Sequence, residues 1–587
     1  MKQDWRIFAK TADFNSISKK YGIDPVTARV IRNRDIETDA DYEYYLFGTL
    51  DSVHAPELMM DMELGVDIIM ASIEAGERIR VVGDYDVDGV MSSYILYDGL
   101  RRAGADVSVD IPHRITDGYG INDRIINQAY NDGIHTIITC DNGIAAVNAI
   151  NKAVELGMNV VITDHHEPQE NLPEADAIID PHQSGDSYPY SDICGATVAY
   201  KFIKLLFKEM EIESGREDYL EEVALATVCD VMPLLNENRI FVREGLRCME
   251  KTQNKGLSAL MNVTGMSDKT LSAYSLGFVL GPCINAAGRL QSAMDAFQLL
   301  ICEDEEAAYE KAASLKELNE SRKEMTEAGV RQAIELMDKG LSDKKSDEEG
   351  LDQVLVIYVP GLHESLAGIV AGRIKESYYR PAIVFTDSEN DHTVLKGSGR
   401  SIEAYNMFEK INVHKDMLVK FGGHPLAAGL TIKKENLDQF RKVLNEEAGL
   451  TERDMLPRLM IDVPMPMYYV KMKLAEEIES LGPFGKGNES PLFAEKGMEI
   501  LGYRIYGQNK NVMKLKLKGQ RGSVHEVIYF RPDDFEKDLS NWFSEEEMEK
   551  MKKGIATGRK MDIAYEVGIN DFNNSRTVQL VLKAYDV

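Results

Sequence analysis

The chain has 587 residues, of which 44% are hydrophobic and 28% are charged, a composition typical of globular proteins. Because single hydrophobic cores rarely grow beyond about 250–300 residues, this length predicts several domains. The formal net charge of -30 argues against a protein that coats nucleic acid with its whole surface, since phosphate binding depends on Lys and Arg, but it leaves room for a local basic groove.

The first predicted domain is a βαβ pattern from Glu77 to about Asp180. Four short apolar runs alternate with helix-like stretches such as SSYILYDGLRRAG, and each run ends in a cluster of polar residues. This pattern predicts a parallel sheet covered by helices on both faces. Because such sheets bind ligands at the carboxyl ends of their strands, we expect the polar clusters to converge. The runs are IRVV (79–82), TIITC (136–140), NVVIT (159–163) and AII (177–179).

Residues 195–340 are predicted to be mostly helical. The charged stretch from 303 to 337 has an amphipathic helical period, and we interpret it as a solvated helix that connects two domains. The polar segment SDKKSDEEGLD (342–352) that follows is typical of a linker.

Two further domains are predicted after this linker. QVLVIYV, PAIVF and HTVLKGSGRSI indicate strands of a second α/β unit, which FGGHPLAAGLTI closes near residue 450. The segment 458–587 contains alternating runs such as KNVMKLKLKG, VHEVIYF, MDIAYEVGI and TVQLVLKAY. Short alternating strands of this kind predict a small β-barrel or sandwich.

The cysteines and the apolar runs indicate the compartment. The six cysteines lie far apart and form no C-x-x-C pair, so neither a zinc site nor a disulfide framework is expected. No apolar run is long enough to cross a bilayer, and the start MKQDWRIFAK lacks the apolar stretch of a secretory signal. We therefore expect a protein of the reducing cytoplasm without a membrane partner.

The most distinctive motif is GDYDVDG, which places Asp84, Asp86 and Asp88 directly after a predicted strand. Clustered carboxylates are the ligands that Mg²⁺ and Mn²⁺ prefer. An EF-hand loop also begins D-x-D-x-D-G, but it needs Glu at its twelfth position, which is Ile95 here. For this motif alone, a solvated acidic turn remains an alternative.

Two more acidic clusters follow the next strands. Asp141 lies in the sequence DNG, which is also a good turn sequence. Asp164, His165 and His166 follow the strand NVVIT. Adjacent side chains at a strand end point in different directions, so one histidine can bind a metal while the other reaches a phosphate and Asp164 orients them. A chance histidine pair on a surface loop is the alternative.

The fourth candidate is Asp230 in the apolar stretch EEVALATVCDVMPL. A buried carboxylate there is costly unless something compensates its charge, and a metal would do so; a helix cap is the alternative. Together the four clusters suit a site for two cations about 3.5–4 Å apart, which stabilises both oxygens of a phosphoryl displacement. No Ser–His–Asp or Cys–His arrangement and no Walker-type glycine loop competes with this interpretation.

These motifs resemble a known family. DYDVDG, DNG, DHH and Asp230 occur in the order of the four motifs of the DHH phosphoesterases. Further segments resemble the RecJ exonucleases of that superfamily, from about residue 20 to the end of the sequence. They are IPHRITDGYGIN (111–122), GPCINAAGRL (281–290), KGSGRSI (396–402), FGGHPLAAG (421–429) and LGPFGKGNESPLF (481–493).

The resemblance implies a multi-domain α/β fold, in which a long helix joins a parallel-sheet DHH domain to a smaller α/β DHH-associated domain, followed by a C-terminal OB-like β-barrel. The expected boundaries are 1–70 for an N-terminal segment, 71–235 for the DHH domain, 236–345 for a helical connector, 346–452 for the DHH-associated domain and 456–587 for the OB-like domain.

The resemblance also implies an activity: 5′-to-3′ hydrolysis of single-stranded DNA to 5′-mononucleotides in DNA repair and recombination, with two divalent cations, Mn²⁺ or Mg²⁺. A single-strand-binding protein and a RecQ-type helicase are implied as partners of a monomer. The implied residues are Asp84, Asp86, Asp88, Asp141, His165 and Asp230 as metal ligands, His166 and Asp164 at the scissile phosphate, Arg114, Ser398 and Arg400 at the 5′ end, and Arg289 and His424 along the DNA path. For the basic residues a surface ion pair is the alternative, although the arginine fork suits phosphate.

Some positions depart from the family pattern. Cys283 stands where an Arg is usual, Leu362 replaces a Trp, and residues 365–367 replace Gly-Val-Ile; Val82, Asn142 and Gly399 also differ. Cys283 and the acidic charge motivate an alternative, a DHH phosphodiesterase that acts on short oligonucleotides or cyclic dinucleotides. A non-catalytic RecJ-like scaffold is a further alternative, which the four intact motifs disfavour.

Overall fold

The computed structural model describes residues 3–215, 217–342, 351–389, 391–572 and 575–586; most of the predicted linker, 343–350, lies outside them. Contacts divide the chain into two compact units. The first takes in Met1–Ser52, Pro233–Arg239 and Pro457–Val587, and the second takes in Val53–Met232 and Ile240–Leu456. Within the described ranges, none of the helices combines the length and the apolar character needed to cross a membrane.

The strands, in chain order, are β1 (Asp4–Ile7), β2 (Arg78–Val82), β3 (Asp106–Asp110), β4 (Thr136–Cys140), β5 (Asn159–Thr163), β6 (Ala177–Ile179), β7 (Leu355–Tyr358), β8 (Ala382–Asp387), β9 (Val394–Arg400), β10 (Leu418–His424), β11 (Ala427–Lys433), β12 (Arg458–Ile461), β13 (Val463–Pro464), β14 (Leu492–Tyr506), β15 (Val512–Lys518), β16 (Val524–Tyr529), β17 (Lys560–Phe572) and β18 (Ser575–Asp586).

The α-helices are α1 (Phe14–Tyr21), α2 (Pro25–Asn33), α3 (Asp39–Phe47), α4 (Met62–Glu74), α5 (Val87–Arg102), α6 (Asp123–Asn131), α7 (Val147–Glu155), α8 (Gly195–Glu209), α9 (Leu220–Cys229), α10 (Asn236–Met249), α11 (Lys255–Thr264), α12 (Ala273–Ser275), α13 (Gly281–Leu290), α14 (Ala293–Leu300), α15 (Glu305–Ser342), α16 (Ala367–Tyr378), α17 (Met407–Asn412), α18 (Leu437–Glu446), α19 (Met472–Ser480), α20 (Pro532–Trp542) and α21 (Glu545–Lys552). A π-helical turn, Leu276–Leu280, joins α12 to α13.

The second unit begins with a five-stranded parallel sheet in the order β3-β2-β4-β5-β6. Helices α4, α5 and α8 contact one face, and side chains of α6 and α7 pack with the sheet in a core that includes Ile125, Ile150 and Val160. The predicted parallel sheet is confirmed. The chain runs from β2 outward to β3 and then returns to place β4 on the other side of β2, and ligands bind at such a switch point.

A second sheet in the same unit has the order β10-β11-β9-β8-β7, with β7 and β8 parallel and the other neighbours antiparallel. One face carries a core with residues of α15 and α16, and the other carries a core with residues of α17 and α18. Helix α15 is the predicted long amphipathic helix, but it is less solvated than we expected. Ala308, Ala312, Leu315 and Ala333 are fully or almost fully buried along it, against α11, α13, α14 and α16.

The first unit contains a barrel. Its sheet has the order β13-β14-β15-β16-β18-β17, and an additional pairing of β14 with β17 closes the strands on themselves. Large apolar side chains such as Phe493, Phe535 and Tyr565 fill its core. The closing pair of strands confirms the predicted β-barrel. Closure also covers strand edges that an open sheet would expose. The N-terminal strand β1 pairs in parallel with β12 in the same unit.

Candidate active site

The loop between β2 and α5 carries the first acidic cluster. Asp86 is the N-cap of α5 and accepts a hydrogen bond from the Gly89 backbone at 3.2 Å. A Cβ at Gly89 would lie 2.4 Å from the backbone oxygen of Asp84, so only glycine permits this tight turn. Asp84 is buried, and its Oδ1 atom accepts no hydrogen bond from any residue that the structure describes. Burial and the charge of Asp86 raise the pKa of Asp84 well above its ordinary value.

Asp88 faces the beginning of α8. Its carboxylate accepts hydrogen bonds from the backbone N–H groups of Gly195 at 2.7 Å and Ala196 at 2.8 Å. The positive end of the helix dipole favours a carboxylate at this position. Burial nevertheless raises the pKa of Asp88, although the charge of His165 acts to lower it. A cation beside Asp88 would therefore stabilise its ionised form.

Asp141 follows β4 and has left-handed backbone with φ of 59°. Few residues other than glycine adopt this conformation, and it is often seen at functional sites. A Cβ at Gly195 would lie 2.8 Å from the Asp141 Cβ, so the N-terminus of α8 closes tightly over it. The pKa of Asp141 is raised well above its usual range by burial and then by the charges of Asp88 and Asp86.

The two histidines after β5 have different surroundings. His165 is buried, and its Nε2 atom lies 3.0 Å from Asp141 Oδ1, 3.4 Å from Asp88 Oδ2 and 3.8 Å from Asp230 Oδ2. Burial lowers the pKa of His165, which favours the neutral imidazole that a metal needs. His166 is more exposed and places Nδ1 at 2.8 Å from Asp164 Oδ1.

Asp164 holds both histidines in place. Its carboxylate accepts hydrogen bonds from the backbone N–H groups of Ile144, at 3.0 Å, and His165, at 2.8 Å. Burial opposes its charge, but the hydrogen bond from His166 keeps the pKa of Asp164 below its ordinary value. Burial would lower the pKa of His166, yet its hydrogen bond to Asp164 and the charge of that carboxylate raise it to about 9. The raised pKa favours the protonated imidazole of His166, which is suited to bind a phosphate oxygen.

Asp230 is the C-cap of α9, and the helix ends there in a Schellman turn. Met232 N donates to Thr227 O at 3.0 Å, and Val231 N donates to Val228 O at 3.2 Å. The left-handed position that glycine normally takes in this turn is held by Val231, with φ of 59°. A β-branched residue is strained in this conformation, so the structure accepts strain beside a candidate ligand.

The donor atoms of these residues come together in groups suited to divalent cations. The groups are Asp84, Asp86 and Asp141; Asp88, His165 and Asp230; and Asp141, His165 and His166, with the donor atoms of each group within 4.8 Å of one another. Asp141 and His165 each belong to two groups. Asp84 Oδ1 is buried and accepts no hydrogen bond from the described residues, and a divalent cation would supply a partner for it. The chemistry of these donor atoms therefore fits hard divalent cations.

Asp84, Asp86, Asp88 and Asp230 line a cavity of about 270 Å³, which we call the acidic cavity. Arg114 and Arg289 line it as well, and both also line a second cavity of about 450 Å³, which we call the arginine cavity. Ser398, Arg400, Lys396 and Lys420 contribute to the arginine cavity from β9 and β10. The two cavities thus share two arginine residues in their linings.

Among the described residues, Arg114, Arg289 and Arg400 form no ion pair with a carboxylate, although acidic residues outnumber basic ones by 97 to 67. Arg114 stacks over the Tyr85 ring at 4.6 Å, and Arg289 donates to Ser365 O at 3.1 Å. Burial and the charge of Arg114 lower the pKa values of Arg289, to about 10, and of Arg400. Unpaired, crowded guanidinium groups of this kind are suited to bind an anion.

The cavity also includes the first turn of α16. A Cβ at Gly368 would lie 2.9 Å from both Arg400 Nη2 and Ser398 Oγ. Backbone N–H groups at a helix N-terminus favour phosphate, so glycine leaves room for an anion among these donors. The surface ion pair that we considered for the basic residues does not describe Arg114, Arg289 or Arg400.

The structure brings most of the sequence-predicted residues together around the two cavities. Asp141, Asp164, His165 and His166 do not line either cavity themselves, but they join the site through contacts with one another and with Asp88 and Asp230. His424 has none of these contacts: it is exposed at the end of β10 and lines neither cavity. Cys283 is buried on α13, where it accepts a hydrogen bond from Asn319 at 3.5 Å and likewise lines neither cavity.

The sequence analysis missed two residues of this site. Tyr119 donates from its hydroxyl to Asp141 O at 2.9 Å and lies 3.2 Å from both ring nitrogens of His166. Asn142 donates to Val82 O and Cys140 O and accepts from Ile121 N, which ties the ends of β2 and β4 together. The only available signals were an aromatic residue within the glycine-rich DGYG and an amide within DNG.

Three family models match the chain: the DHH family N-terminal domain over residues 78–227, the DHHA1 domain over 351–449 and the RecJ OB domain over 461–584. The sheet with its acidic cluster is therefore a DHH phosphoesterase domain.

The full chain is 33% identical to the single-stranded-DNA-specific exonuclease RecJ of Bacillus subtilis, over 99% of this chain and 70% of that protein. It is 33% identical to RecJ of Haemophilus influenzae, over 97% of this chain and 96% of that protein. Its fold matches the crystal structure of RecJ from Thermus thermophilus in complex with Mn²⁺, with a TM-score of 0.80 and 24% identity, covering 100% of this chain and 79% of that one. The chain belongs to the RecJ family, which confirms the resemblance and the predicted fold class.

Proposed function

We propose that the chain is a metal-dependent exonuclease that hydrolyses single-stranded DNA from its 5′ end and releases 5′-mononucleotides in DNA repair and recombination. The observation that carries this proposal is the shared lining of the two cavities by Arg114 and Arg289. A strand with a phosphodiester at the carboxylates can place its terminal phosphate among the arginines. The names of the relatives, single-stranded-DNA-specific exonucleases, support the same activity.

The acidic cavity would hold two divalent cations, Mn²⁺ or Mg²⁺, between Asp84, Asp86, Asp88, Asp141, His165 and Asp230. When bound, these cations supply Lewis-acid activation of water and of the phosphate. The chain itself contributes protonated His166, which Asp164 and Tyr119 orient to donate a hydrogen bond to a phosphate oxygen. The backbone N–H groups of Gly195 and Ala196 at the N-terminus of α8 hold the Asp88 carboxylate in place.

The arginine cavity would bind the 5′-phosphate. Arg400 and Ser398 on β9 contact each other at 3.2 Å, and the first turn of α16 faces them. Arg114 and Arg289 lie between this phosphate and the cations, where they can neutralise the intervening backbone. His424 would contact the strand outside the cavities. Because Cys283 does not face either cavity, it gives no support to the alternative of a phosphodiesterase for cyclic dinucleotides.

Digestion of end-labelled single strands, duplexes and dinucleotides with Mn²⁺ tests the proposal. We expect release of labelled mononucleotides from the 5′ end of single strands and loss of activity with EDTA. Preferred cleavage of dinucleotides, or digestion from the 3′ end, would contradict it. We also propose a cytoplasmic monomer with a single-strand-binding protein and a RecQ-type helicase as partners; sedimentation and binding to each purified partner would test this.

A further inference from the structure

Two aromatic side chains on the surface of the second unit are unusually exposed. Tyr274 on α12 and Phe278 in the π-helical turn each expose 68% of their surface. Their rings stack on each other, with centroids 4.9 Å apart and an interplanar angle of 18°. The described core clusters include neither ring. Large exposed apolar groups that are held in order commonly mark a binding surface.

The pair is anchored to the helix that ends at Asp230. Cys229 Sγ lies 3.7 Å from Leu276 O, between the two aromatic residues. A Cβ on Gly277 would lie 3.2 Å from the side chain of Val228. The π-helical turn continues into α13, which carries Asn285 and Arg289 into the acidic cavity. π-helical turns occur frequently at functional sites.

The segment that carries the aromatic pair contacts Cys229, which is one of the residues that line the acidic cavity. That cavity shares Arg114 and Arg289 with the arginine cavity, but Cys229 and Asp230 line the acidic cavity alone. A strand whose 5′-phosphate lies among the arginines can leave the acidic cavity past Cys229 and Asp230, which are among the residues that line this cavity and not the arginine cavity. Exposed Val231 extends the apolar surface there.

We propose that Tyr274 and Phe278 form a stacking platform for a nucleobase on the 3′ side of the scissile phosphodiester. This inference rests on the proposed exonuclease function and names how the rest of the strand is held. Every base has a flat face, so stacking on an aromatic pair tolerates any sequence. Stacking also needs no basic residues, which suits a chain of net charge -30 that can neutralise few backbone phosphates.

Abasic scanning of the substrate tests the platform. In the wild-type protein, a tetrahydrofuran residue placed at successive positions from the 5′ end should raise KM about tenfold at one or two adjacent positions, the size of effect expected for one lost base stack. The variant Y274A/F278A should raise KM for the intact strand by a similar factor. In this variant the abasic penalty at those positions should disappear, while hydrolysis of a 5′-phosphorylated dinucleotide is unchanged.

Two further variants serve as controls. Y274F/F278Y keeps both rings and should behave as wild type. Tyr130 on α6 is 54% exposed, so Y130A removes a comparable aromatic group and should leave the abasic profile intact.

Three outcomes would overturn the platform. An unchanged abasic profile in Y274A/F278A, with wild-type hydrolysis of single strands, would overturn it and leave the exonuclease proposal standing. Loss of a dimer in sedimentation of the variant would assign the pair to a contact between copies. If the wild-type protein hydrolyses neither long strands nor dinucleotides, the proposed function fails and the platform fails with it.

Discussion

His165 Nε2 lies 3.0 Å from Asp141 Oδ1, so residues from the ends of two neighbouring parallel strands meet side by side. Both side chains are almost fully buried. Each belongs to two of the candidate cation-binding groups. This contact therefore joins the groups into one site, and Asp141 lies at its centre.

We expect Asp141→Asn to abolish hydrolysis and to stabilise the metal-free protein. The substitution keeps the shape of the side chain but removes a carboxyl group whose pKa is raised by burial and by the charge of Asp88. Mutation of a residue that only hydrogen-bonds to a metal ligand typically lowers metal affinity or activity by about 10–100-fold. We therefore expect the loss of a ligand itself to lower activity by more than about 100-fold. Less charge repulsion should raise the Tm without metal by roughly 2–4 °C.

Calorimetry with EDTA and with Mn²⁺ measures both effects. Mn²⁺ should raise the Tm of the wild-type protein, by mass action, and should raise that of the variant less. Asp67→Asn, at an exposed position on α4, is the matched control and should change neither quantity. Near-normal Mn²⁺-dependent turnover of the Asp141 variant would disprove the assignment.

Arg400→Ala should affect 5′-phosphorylated strands most. Arg400 has no carboxylate partner among the described residues and lies beside Ser398 in the arginine cavity. Hydrogen bonds to charged groups contribute about 1.5–3 kcal/mol, so KM for a 5′-phosphorylated strand should rise roughly 10- to 100-fold. A 5′-hydroxyl strand should be affected much less. Arg373→Ala, on the exposed side of α16, is the control, and an equal loss on both substrates would exclude a 5′-phosphate site here.

Gly368→Ala should have a similar effect through space alone. The new Cβ would lie 2.9 Å from Arg400 Nη2 and Ser398 Oγ, so both side chains must move or the anion loses its place. We expect KM for 5′-phosphorylated strands to rise about tenfold, since a misplaced donor costs about one charged hydrogen bond, with kcat little changed. Gly372→Ala is the control and should leave KM unchanged, because the atom nearest to the new Cβ would be 4.0 Å away. Gly361 is less suitable, because its φ of 74° would strain an alanine.

The sequence was sufficient to predict the acidic site because strand ends in a parallel sheet must lie together. Asp84 follows β2, Asp141 follows β4 and His165 follows β5, and these are adjacent strands. The edge strand β3 was not predicted, because DVSVD alternates and is only partly buried. The other four strands of the sheet are mostly buried and richer in apolar residues, which gives a stronger signal.

Features that depend on exact distances were beyond the sequence. The strained turn at Val231 could not be foreseen, since the position normally holds glycine. The hydroxyl of Tyr119 reaches Asp141 and His166 only because the loop before α6 folds over the end of β4. The burial of Ala308 and Ala312 along α15 depends on packing partners that are distant in sequence.

Val231→Gly should stabilise the protein. Val231 has φ of 59° in the turn that ends α9, and a left-handed conformation costs an L-residue roughly 1–2 kcal/mol. Since Val231 is largely exposed, little packing is lost, and we expect a gain of about 1 kcal/mol in the free energy of unfolding. Urea denaturation with EDTA present measures it. Val231→Ala keeps the strain of a Cβ and should gain less; a Gly variant less stable than wild type would contradict this account.

Glu222 on α9 should make the protein less stable as pH rises. Its carboxyl group is buried, and burial, with the charge of Glu221, raises its pKa from an ordinary value of 4.5 to about 8. The folded state holds the Glu222 proton more tightly than the unfolded state. The contribution of this proton to the free energy of unfolding is therefore fully present below pH 4.5, and it is lost as pH rises towards 8, by up to about 1.4 kcal/mol per pH unit. Above pH 8 the loss levels off.

Glu222→Gln removes this ionisation but keeps the shape of the side chain. Urea denaturation of both proteins at pH 5, 6, 7 and 8 should show the variant gaining relative stability at each step, with the largest difference at pH 8. Asp123, exposed at the start of α6, provides the control, since Asp123→Asn should give a difference that does not grow over this range. A constant difference for the Glu222 variant would mean that its carboxyl group ionises at an ordinary pH in the folded protein.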